Sequence, residues 1–197
     1  MLKKLISLDQ WLFIKINNGG PHPVADQLML LFRNPYFWAP LYLFLIMFAL
    51  FNFGKKAIWW VLSAATTAAI TDSVSSRLVK PFFSRPRPCG DPDFLAHVRL
   101  LANYCGGNGS FTSSHAANHF GLAMFFFISL KGFNGIWKYL FFGWAFLVCY
   151  SQVYVGVHYP SDVIGGALLG CLTGYLTGKY FNNKIGLLVS NKLWYEY

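Results

Sequence analysis

Three polar clusters lie beside long apolar segments of this chain, and their residue types suit chemistry on an anion. The first is the basic run at residues 80–88, the second is residues 112–115, and the third begins at Ser151 and ends at Asp162. Charged groups next to hydrocarbon are costly, and where they occur they usually serve a function. The clusters therefore predict an anion site at a membrane surface, with phosphate as the expected anion.

The first two clusters contain the groups that could hold a phosphate. Hydrolysis of a phosphate ester needs donors around the phosphoryl oxygens, a nucleophile in line with the scissile bond, and an acid for the leaving oxygen. Lys80 and Arg87 are the cationic donors, and an arginine can bind two oxygens at once. Thr112, Ser113 and Ser114 come where a helix should begin, so their hydroxyl and backbone NH groups can line an anion site.

His158 is the expected nucleophile. Asp162 follows it by four residues, so the carboxylate can hold one ring nitrogen and leave the other free to attack phosphorus. His115 is then the acid. Asp162 could instead simply cap its helix. His115 and His119 also have the spacing of two metal ligands, but no third ligand is evident, and neither a metal nor another cofactor is expected.

The apolar segments predict how these clusters are positioned. Of the 197 residues, 55% are hydrophobic and only 12% are charged, which is typical of a membrane protein. Helical spans of roughly 17 to 25 residues are predicted at residues 36–53, 57–79, 114–130, 139–157 and 162–178. The expected fold is all-α: a polytopic membrane helical bundle of five to six transmembrane helices with an N-terminal interfacial helix.

The two ends of the chain are predicted to lie outside the catalytic bundle, which covers residues 35–180. Residues 1–34 are too interrupted by charges and by the break at residues 19–21 to span a bilayer, so an interfacial segment is expected. Residues 181–197 are expected to form a cytoplasmic tail. No signal-peptide cleavage pattern follows Lys3 and Lys4, so the N-terminus should remain in the mature chain.

The lysines between the spans predict the orientation, because Lys and Arg favour the cytoplasmic side. Three basic groups fall on one face of the predicted bundle: Lys55 and Lys56, Lys131 and Lys138, and Lys179, Lys184 and Lys192. The three polar clusters then lie on the opposite, extracytoplasmic face. The formal charge of +9 suits anionic lipid rather than nucleic acid, since no basic run lies on a polar, aromatic-interleaved surface.

The last predicted span carries a stripe of glycines at a period of four residues: Gly166, Gly170, Gly174 and Gly178. Such a stripe lets a neighbouring helix approach closely. The alanines at residues 64, 65, 68 and 69 of the second span could supply the facing surface, although the pairing stays open. Close packing would hold Asp162, at the start of this helix, in place.

Taken together, the clusters resemble the signature of the type 2 phosphatidic acid phosphatase (PAP2) family, which shares its site with vanadium haloperoxidases and bacterial acid phosphatases. That signature is Lys, six residues, Arg-Pro; then Pro-Ser-Gly-His; then Ser-Arg, five residues, His, three residues, Asp. The first motif is matched fully by Lys80, Arg87 and Pro88. The others are matched by Ser113 and His115 and by Ser151, His158 and Asp162, with Thr112, Ser114 and Gln152 replacing Pro, Gly and Arg. The resemblance covers roughly residues 57–178.

This resemblance implies a metal-independent phosphatase that forms a phosphohistidine on His158, with Asp162 orienting the ring and His115 acting as acid and then as base. It also implies a phosphate held by four groups, which are Lys80, Arg87, Ser113 and the backbone NH of Ser114.

Gln152 departs from the family pattern. Its amide can donate a hydrogen bond to phosphate, but it lacks the positive charge of the expected arginine. Either phosphate binding is weaker than in the usual site, or Arg85 or Arg99 supplies a substitute charge.

The expected partners are the bilayer and a lipid phosphate substrate. Because the chain resembles the compact bacterial members, undecaprenyl diphosphate is the predicted substrate, with lipid A phosphate and phosphatidylglycerophosphate or phosphatidate as alternatives. The predicted location is the bacterial cytoplasmic (inner) membrane, with the active site facing the periplasm or cell exterior. A non-catalytic lipid-phosphate binding or transport protein is a different class that Gln152 leaves open, and the oligomeric state also stays open.

The cysteines bear on the compartment. Cys89 and Cys105 both lie in the predicted extracytoplasmic loop, where a disulfide would form in an oxidising periplasm and two free thiols are the alternative. Cys149 and Cys171 lie within apolar spans, where packing is their expected role.

Overall fold

The structure is a computed structural model that describes residues 2–107, 109–130 and 135–187. The described residues form helices and no strand. The α-helices are α1 (Leu2–Asn17), α2 (Pro23–Arg33), α3 (Ala39–Phe53), α4 (Lys55–Ser73), α5 (Lys80–Phe83), α6 (Ser114–Ser129), α7 (Trp137–Tyr154) and α8 (Pro160–Lys184). Three 3-10 turns (Pro35–Trp38, Pro88–Gly90 and Leu95–His97) and a π-helical segment (Val74–Val79) complete them.

Five of these helices form the bundle and correspond to the five predicted spans. Helix α6 lies at the centre, packing most extensively on α8 and also on α4 and α7, while α3 packs on α4 at the edge. By length and composition alone, one helical stretch within the described residues, Pro35–Phe53, is apolar enough to cross a membrane. The predicted second span is α4 continued by the π-helical segment.

Aromatic side chains fill the bundle core away from the polar clusters. Trp60, Phe125, Phe126 and Phe181 are buried together, and the rings of Trp60 and Phe126 stack with centroids 5.0 Å apart. Phe181 is only 1% exposed, and α8 continues to Lys184. The predicted tail boundary at residue 181 therefore falls inside a packed helix, because Phe181 anchors the last turns of α8 on Phe125. Residues 188–197 of that tail lie outside the described residues.

The glycine stripe of α8 packs on α6 and not on the alanines of α4. A Cβ at Gly170 would overlap the carbonyl oxygen of Ala117, and a Cβ at Gly174 would overlap that of Gly121. Helix α4 touches α8 through a different contact, in which Thr67 Oγ1 donates to Thr177 Oγ1 (2.8 Å). The helix that packs on the glycine stripe is therefore α6, whose small residues allow its backbone to contact that of α8.

The described lysines of the predicted basic face gather at one end of the bundle. Lys56 Nζ donates to the carbonyl of Ile185 (3.3 Å), and Asn182 Nδ2 donates to that of Ile128 (2.7 Å), so the α3–α4 turn and the ends of α6 and α8 lie together. Lys131 and Lys192 lie outside the described residues. Since α6 and α8 run in the same direction, both begin at the opposite end, where the polar clusters are found.

Residues 2–33 form two helices at that same end, separated by the predicted break. Phe13 of α1 is fully buried against Phe94 and Tyr159, with ring centroids 5.6 Å apart in both pairs. Leu5, Leu8 and Trp11 on α1 are exposed, which suits the predicted interfacial location.

Candidate active site

The second and third polar clusters meet where α6 and α8 begin. Ser113 caps α6, its Oγ accepting from the backbone NH of Ala116 (3.4 Å), and its own NH donates to the carbonyl of Asp162 (3.0 Å). A Cβ at Gly166 would lie only 2.5 Å from the Ser113 carbonyl oxygen. Glycine at that position therefore allows the two helix starts to lie side by side.

Asp162 and His158 are both buried and linked as predicted, but through an additional residue. The Asp162 carboxylate lies 3.5 Å from His158 Nδ1. Ser110 lies between them: its hydroxyl donates to Asp162 Oδ2 (2.5 Å) and is 3.4 Å from His158 Nδ1. The backbone NH of Tyr159 also donates to Asp162 Oδ2 (2.8 Å), so one oxygen both caps α8 and faces the histidine. The capping and catalytic interpretations of Asp162 are thus compatible.

Arg87 contacts the other ring nitrogen of His158. Its Nη1 lies 3.3 Å from His158 Nε2 and 3.4 Å from the carbonyl of Val157. Because an arginine can only donate, Nε2 must be the unprotonated nitrogen, and the proton then resides on Nδ1, towards Ser110 and Asp162. Burial lowers the pKa of His158 to about 4, against an opposing effect of Asp162. A neutral imidazole with a lone pair on Nε2 is the form that attacks phosphorus.

Lys80 and Arg87 line one cavity of about 680 Å³. Lys80 is only 6% exposed, and its ammonium makes no hydrogen bond or ion pair with another described residue. Burial and the neighbouring Arg87 lower the pKa of Lys80. A bound anion would relieve both effects, which is what a phosphate site requires.

A disulfide between Cys89 and Cys105 shapes this cavity, with the two Cα atoms 5.8 Å apart. It holds the loop that carries Gly106 against Arg87. A Cβ at Gly106 would lie 3.0 Å from Arg87 Cζ, so the glycine allows the loop to cover the guanidinium. Cys149 is a buried free thiol in α7, as expected of a packing residue.

His115 lies in the first turn of α6 and lines a second cavity of about 750 Å³. His119 follows one turn later, its Nδ1 donating to the carbonyl of His115 (2.8 Å) and its ring packing on Trp144. No group of three metal-ligating side chains occurs within the described residues. Ser114, beside His115, shares a 3.1 Å hydroxyl contact with Ser75.

Gln152 lies in α7 and is completely buried. Neither its Nε2 nor its Oε1 makes a hydrogen bond to a described residue, and it lines neither of the two cavities. The predicted contact with phosphate stays a prediction.

Arg85 lines the same cavity as Lys80 and Arg87 but is already paired with two carboxylates, so its role as a substitute charge stays a prediction. Its Nη1 donates to Asp162 Oδ1 (2.9 Å) and to Ser161 Oγ (2.6 Å), and its Nη2 donates to Asp9 Oδ2 (2.7 Å). The guanidinium also lies over the ring of Tyr159, 4.1 Å from its centroid. Two carboxylates therefore neutralise Arg85 and hold it against the start of α8.

Arg99 is likewise paired with a carboxylate, that of Asp26. Its Nη1 contacts both carboxylate oxygens of Asp26 (2.8 and 2.9 Å), its Nε donates to the carbonyl of Asn17 (3.0 Å), and it lies over the ring of Tyr154. Arg99 thus joins the two N-terminal helices to the end of α7.

Sequence reasoning missed three residues of this region. Asp9 accepts hydrogen bonds from Ser161 NH (2.8 Å) and Ser161 Oγ (2.5 Å). Because 152 residues separate Asp9 from Ser161, no local sequence pattern predicts this contact. Ser110 lies two residues before the second cluster, and only its polarity in a buried segment could have indicated a role. Arg33 ends α2 and lines the same cavity as His115.

The comparisons with known proteins agree with this geometry. A model of the PAP2 superfamily matches residues 56–185. The chain is 34% identical to a lipid A 4'-phosphatase of Bacteroides thetaiotaomicron, over 89% of this chain and 78% of the relative. It is 26% identical to the undecaprenyl-diphosphatase BcrC of Bacillus subtilis, over 67% of this chain and 64% of the relative.

Two crystal structures share the fold. LpxE from Aquifex aeolicus has a TM-score of 0.60 at 33% identity, with 86% of this chain and 93% of LpxE covered. A transmembrane PAP2-type phosphatidylglycerolphosphate phosphatase from Bacillus subtilis has a TM-score of 0.61 at 24% identity, with 92% of this chain and 88% of that chain covered, a likeness of fold alone. The chain therefore belongs to the PAP2 superfamily and is one of its membrane lipid phosphatases.

Proposed function

We propose that this enzyme removes the 4'-phosphate of lipid A through a phosphohistidine on His158. The chemistry rests on one observation, the chain of contacts from Asp162 through Ser110 to His158 Nδ1, which leaves Nε2 beside Arg87. The substrate rests on the similarity to lipid A 4'-phosphatases along about nine tenths of the chain. Lipid A thus replaces undecaprenyl diphosphate as the leading substrate.

In the first step, Lys80 and Arg87 hold the phosphoryl oxygens while His158 Nε2 attacks phosphorus. A P–N bond forms as the P–O bond to the sugar breaks, and His115 donates a proton to the leaving oxygen. The imidazole becomes positively charged in this step. The buried carboxylate of Asp162 stabilises that charge, directly and through Ser110.

In the second step, a water molecule attacks the phosphohistidine. His115, now the base, accepts the proton of that water while the P–N bond breaks, so inorganic phosphate leaves and both histidines return to their starting state. No metal ion takes part in either step.

Residues at the start of α6 complete the phosphate site. The hydroxyl of Ser113 and the free NH groups of Ser114 and its neighbour lie at a helix N-terminus, where backbone donors and the helix dipole favour an anion. The buried amide of Gln152 would donate one further neutral hydrogen bond. Because it carries no charge, Lys80 and Arg87 neutralise more of the phosphate than in a site with arginine there.

We further infer that the five bundle helices span the bacterial inner membrane with α1 and α2 lying at its surface. The described lysines at one end support a cytoplasmic location for that end. The disulfide between Cys89 and Cys105 supports an oxidising, periplasmic location for the active site.

The test is phosphate release from a panel of lipids by the purified protein in detergent with EDTA. The panel holds lipid A, undecaprenyl diphosphate, phosphatidylglycerophosphate and phosphatidate. Wild type should act fastest on lipid A, and His158→Ala should release no phosphate, whereas His97→Ala, which alters an exposed histidine of the same loop region, should act like wild type. Equal activity in His158→Ala would refute the mechanism. Lipid binding without release in wild type would instead indicate a binding or transport protein.

Undecaprenyl diphosphate remains the second candidate substrate because of the similarity to BcrC. Faster release from it than from lipid A would reverse the order of the two.

A further inference from the structure

Arg33 and His115 line a second cavity, whose lining has no residue in common with that of the cavity containing Lys80 and Arg87. The second cavity measures about 750 Å³ and lies between the end of α2, the loop at residues 103–104 and the start of α6. Its polar lining also includes Gln27, Asn103 and Tyr104, and its apolar lining includes Leu30 and Leu31. A polar pocket with an apolar side suits the headgroup of an amphiphile.

Arg33 differs from the other two arginines that flank the site. Arg85 and Arg99 each bind at least one carboxylate. Arg33, which is partly buried, makes no hydrogen bond or ion pair with any described residue. Its guanidinium keeps its charge under all ordinary conditions, and a partly desolvated cation without a partner is poised to bind an anion.

The role of His115 fixes which part of the substrate enters this cavity. In an in-line displacement, the leaving oxygen lies on the far side of phosphorus from His158 Nε2, and the acid that protonates that oxygen lies next to it. This step of the argument depends on the function proposed above. Because His115 lines the cavity, the leaving group occupies it, while the transferred phosphoryl group faces Lys80 and Arg87.

We propose that this cavity is the leaving-group subsite and that Arg33 in it binds an anionic oxygen of the leaving group. The substrates that Arg33 would bind more tightly are lipid phosphates whose leaving group has its own negative charge close to the scissile oxygen. A lipid diphosphate leaves a phosphate monoester there, and a glycolipid can place an acidic sugar there. Arg33 lies outside residues 56–185, which the family model matches, so the family motifs do not predict it.

The first test measures binding in His158→Ala, which removes turnover from the readout. Farnesyl diphosphate and farnesyl monophosphate share one chain and differ in the charge beyond the scissile bond. The diphosphate should bind more tightly, and Arg33→Gln should remove about 10- to 100-fold of its affinity, as expected for a charge-assisted hydrogen bond. Arg33→Lys should restore part of it. Arg77→Gln, which removes an exposed cation elsewhere, is the matched control and should change neither affinity.

The second test measures kcat/KM in the enzyme with His158 intact. Arg33→Gln should lower kcat/KM for the diphosphate by the same factor and leave the monophosphate within about threefold. A pair of glycolipid monophosphates, with and without an acidic sugar next to the phosphate, distinguishes the two sources of the anion.

Several results would overturn the subsite. If Arg33→Gln lost the same affinity for both farnesyl compounds, Arg33 would instead bind the transferred phosphoryl group. If it lost affinity for neither, Arg33 would have no role in substrate binding. Absence of diphosphate binding in His158→Ala would also contradict it. By contrast, selective binding that depends on Arg33, without phosphate release by wild type, would refute the proposed function and keep the subsite.

Discussion

The first turn of helix α8 and the four turns that follow it are held in different ways. In the first turn, the Asp162 carboxylate has four polar partners: Ser110 Oγ, the Tyr159 NH, Arg85 Nη1 and His158 Nδ1. In the turns that follow, the glycines face α6, and their neighbours are backbone atoms and the side chains of Ala116, Met124 and Ile128. The polar turn is fixed by charge and hydrogen bonds, and the glycine stripe is fixed by shape.

The two regions therefore control different properties of the site, namely the position of Asp162 and the reactivity of His158. The stripe sets how close α8 lies to α6, and thereby brings Asp162 beside Ser113. The polar network then sets the direction of the carboxylate and the protonation of His158. Damage to the stripe should therefore affect folding and activity together, whereas damage to the network should affect activity with the fold intact.

The largest expected effect is that of Asp162→Asn. The amide keeps the shape of the side chain but loses the charge that orients and stabilises the imidazolium, so kcat should fall by about 10³- to 10⁴-fold, as for other carboxylates that orient a catalytic histidine. Circular dichroism should still show a folded helical protein, although the thermal midpoint should fall somewhat because the carboxylate also caps α8 and pairs with Arg85. Asp93→Asn, at an exposed site, is the control. A loss below about tenfold would mean that Ser110 suffices to orient His158.

Gly170→Val tests the glycine stripe of α8. Its side chain would overlap the Ala117 carbonyl and push the two helices apart, at a cost of about 3 kcal/mol or more. The thermal midpoint in detergent should drop, with activity lost in proportion to folded protein. Gly143→Ala is the matched control, because a Cβ there meets nothing within 4 Å. A stable but inactive Gly170→Val would show that the stripe also tunes reactivity.

Asp9→Asn tests a residue at the edge of the polar network around Asp162. Arg85 would lose one of its two carboxylates and could turn further towards Asp162, which would weaken the contact of that carboxylate with His158. We expect kcat to fall about tenfold, or ~1.4 kcal/mol, with KM unchanged, because Asp9 acts through Arg85 and does not touch substrate. A rise in KM instead of a fall in kcat would contradict this positioning role, and Asp9→Glu should recover part of the rate.

The smallest expected effect is that of mild acid. Burial lowers the pKa of His158 to about 4, so the nucleophile should remain neutral and competent as the pH falls from 7 to 5, and should become protonated only near pH 4. A titration of the histidine side chains by ¹⁵N NMR, with His158→Ala to assign the signal, measures this directly and avoids the titration of the substrate phosphate. A midpoint near the ordinary histidine value of about 6.5 would show that the buried polar network does not exclude solvent from the ring.

Some parts of the fold and site followed from short-range patterns. The apolar runs located all five bundle helices to within a few residues, because helices that bury apolar faces need long uncharged stretches. The spacing of His158 and Asp162 brought them together across a proline-started helix turn. Cys89 and Cys105 could be paired because both fall in one loop.

Other parts depended on contacts between distant segments. The alanines of α4 were the facing surface that composition suggested for the stripe, and only the packing shows that α6 lies there instead. Arg85 and Arg99 were both plausible substitutes for the missing arginine, since nothing local shows that Asp9 and Asp26 neutralise them. Arg33 was overlooked because its position beside His115 arises from the way α2 folds onto α7.

The sequence by itself thus determined the reacting groups, their order along the chain and the apolar helices that carry them, because each depends on residue type and near-neighbour spacing. Only the tertiary structure decided which arginines are paired with carboxylates, which hydroxyl lies between Asp162 and His158, and which helix packs on the glycine stripe. Charge pairing and close packing depend on distance in space, and segments as far apart in the chain as Asp9 and Ser161 meet at the start of α8.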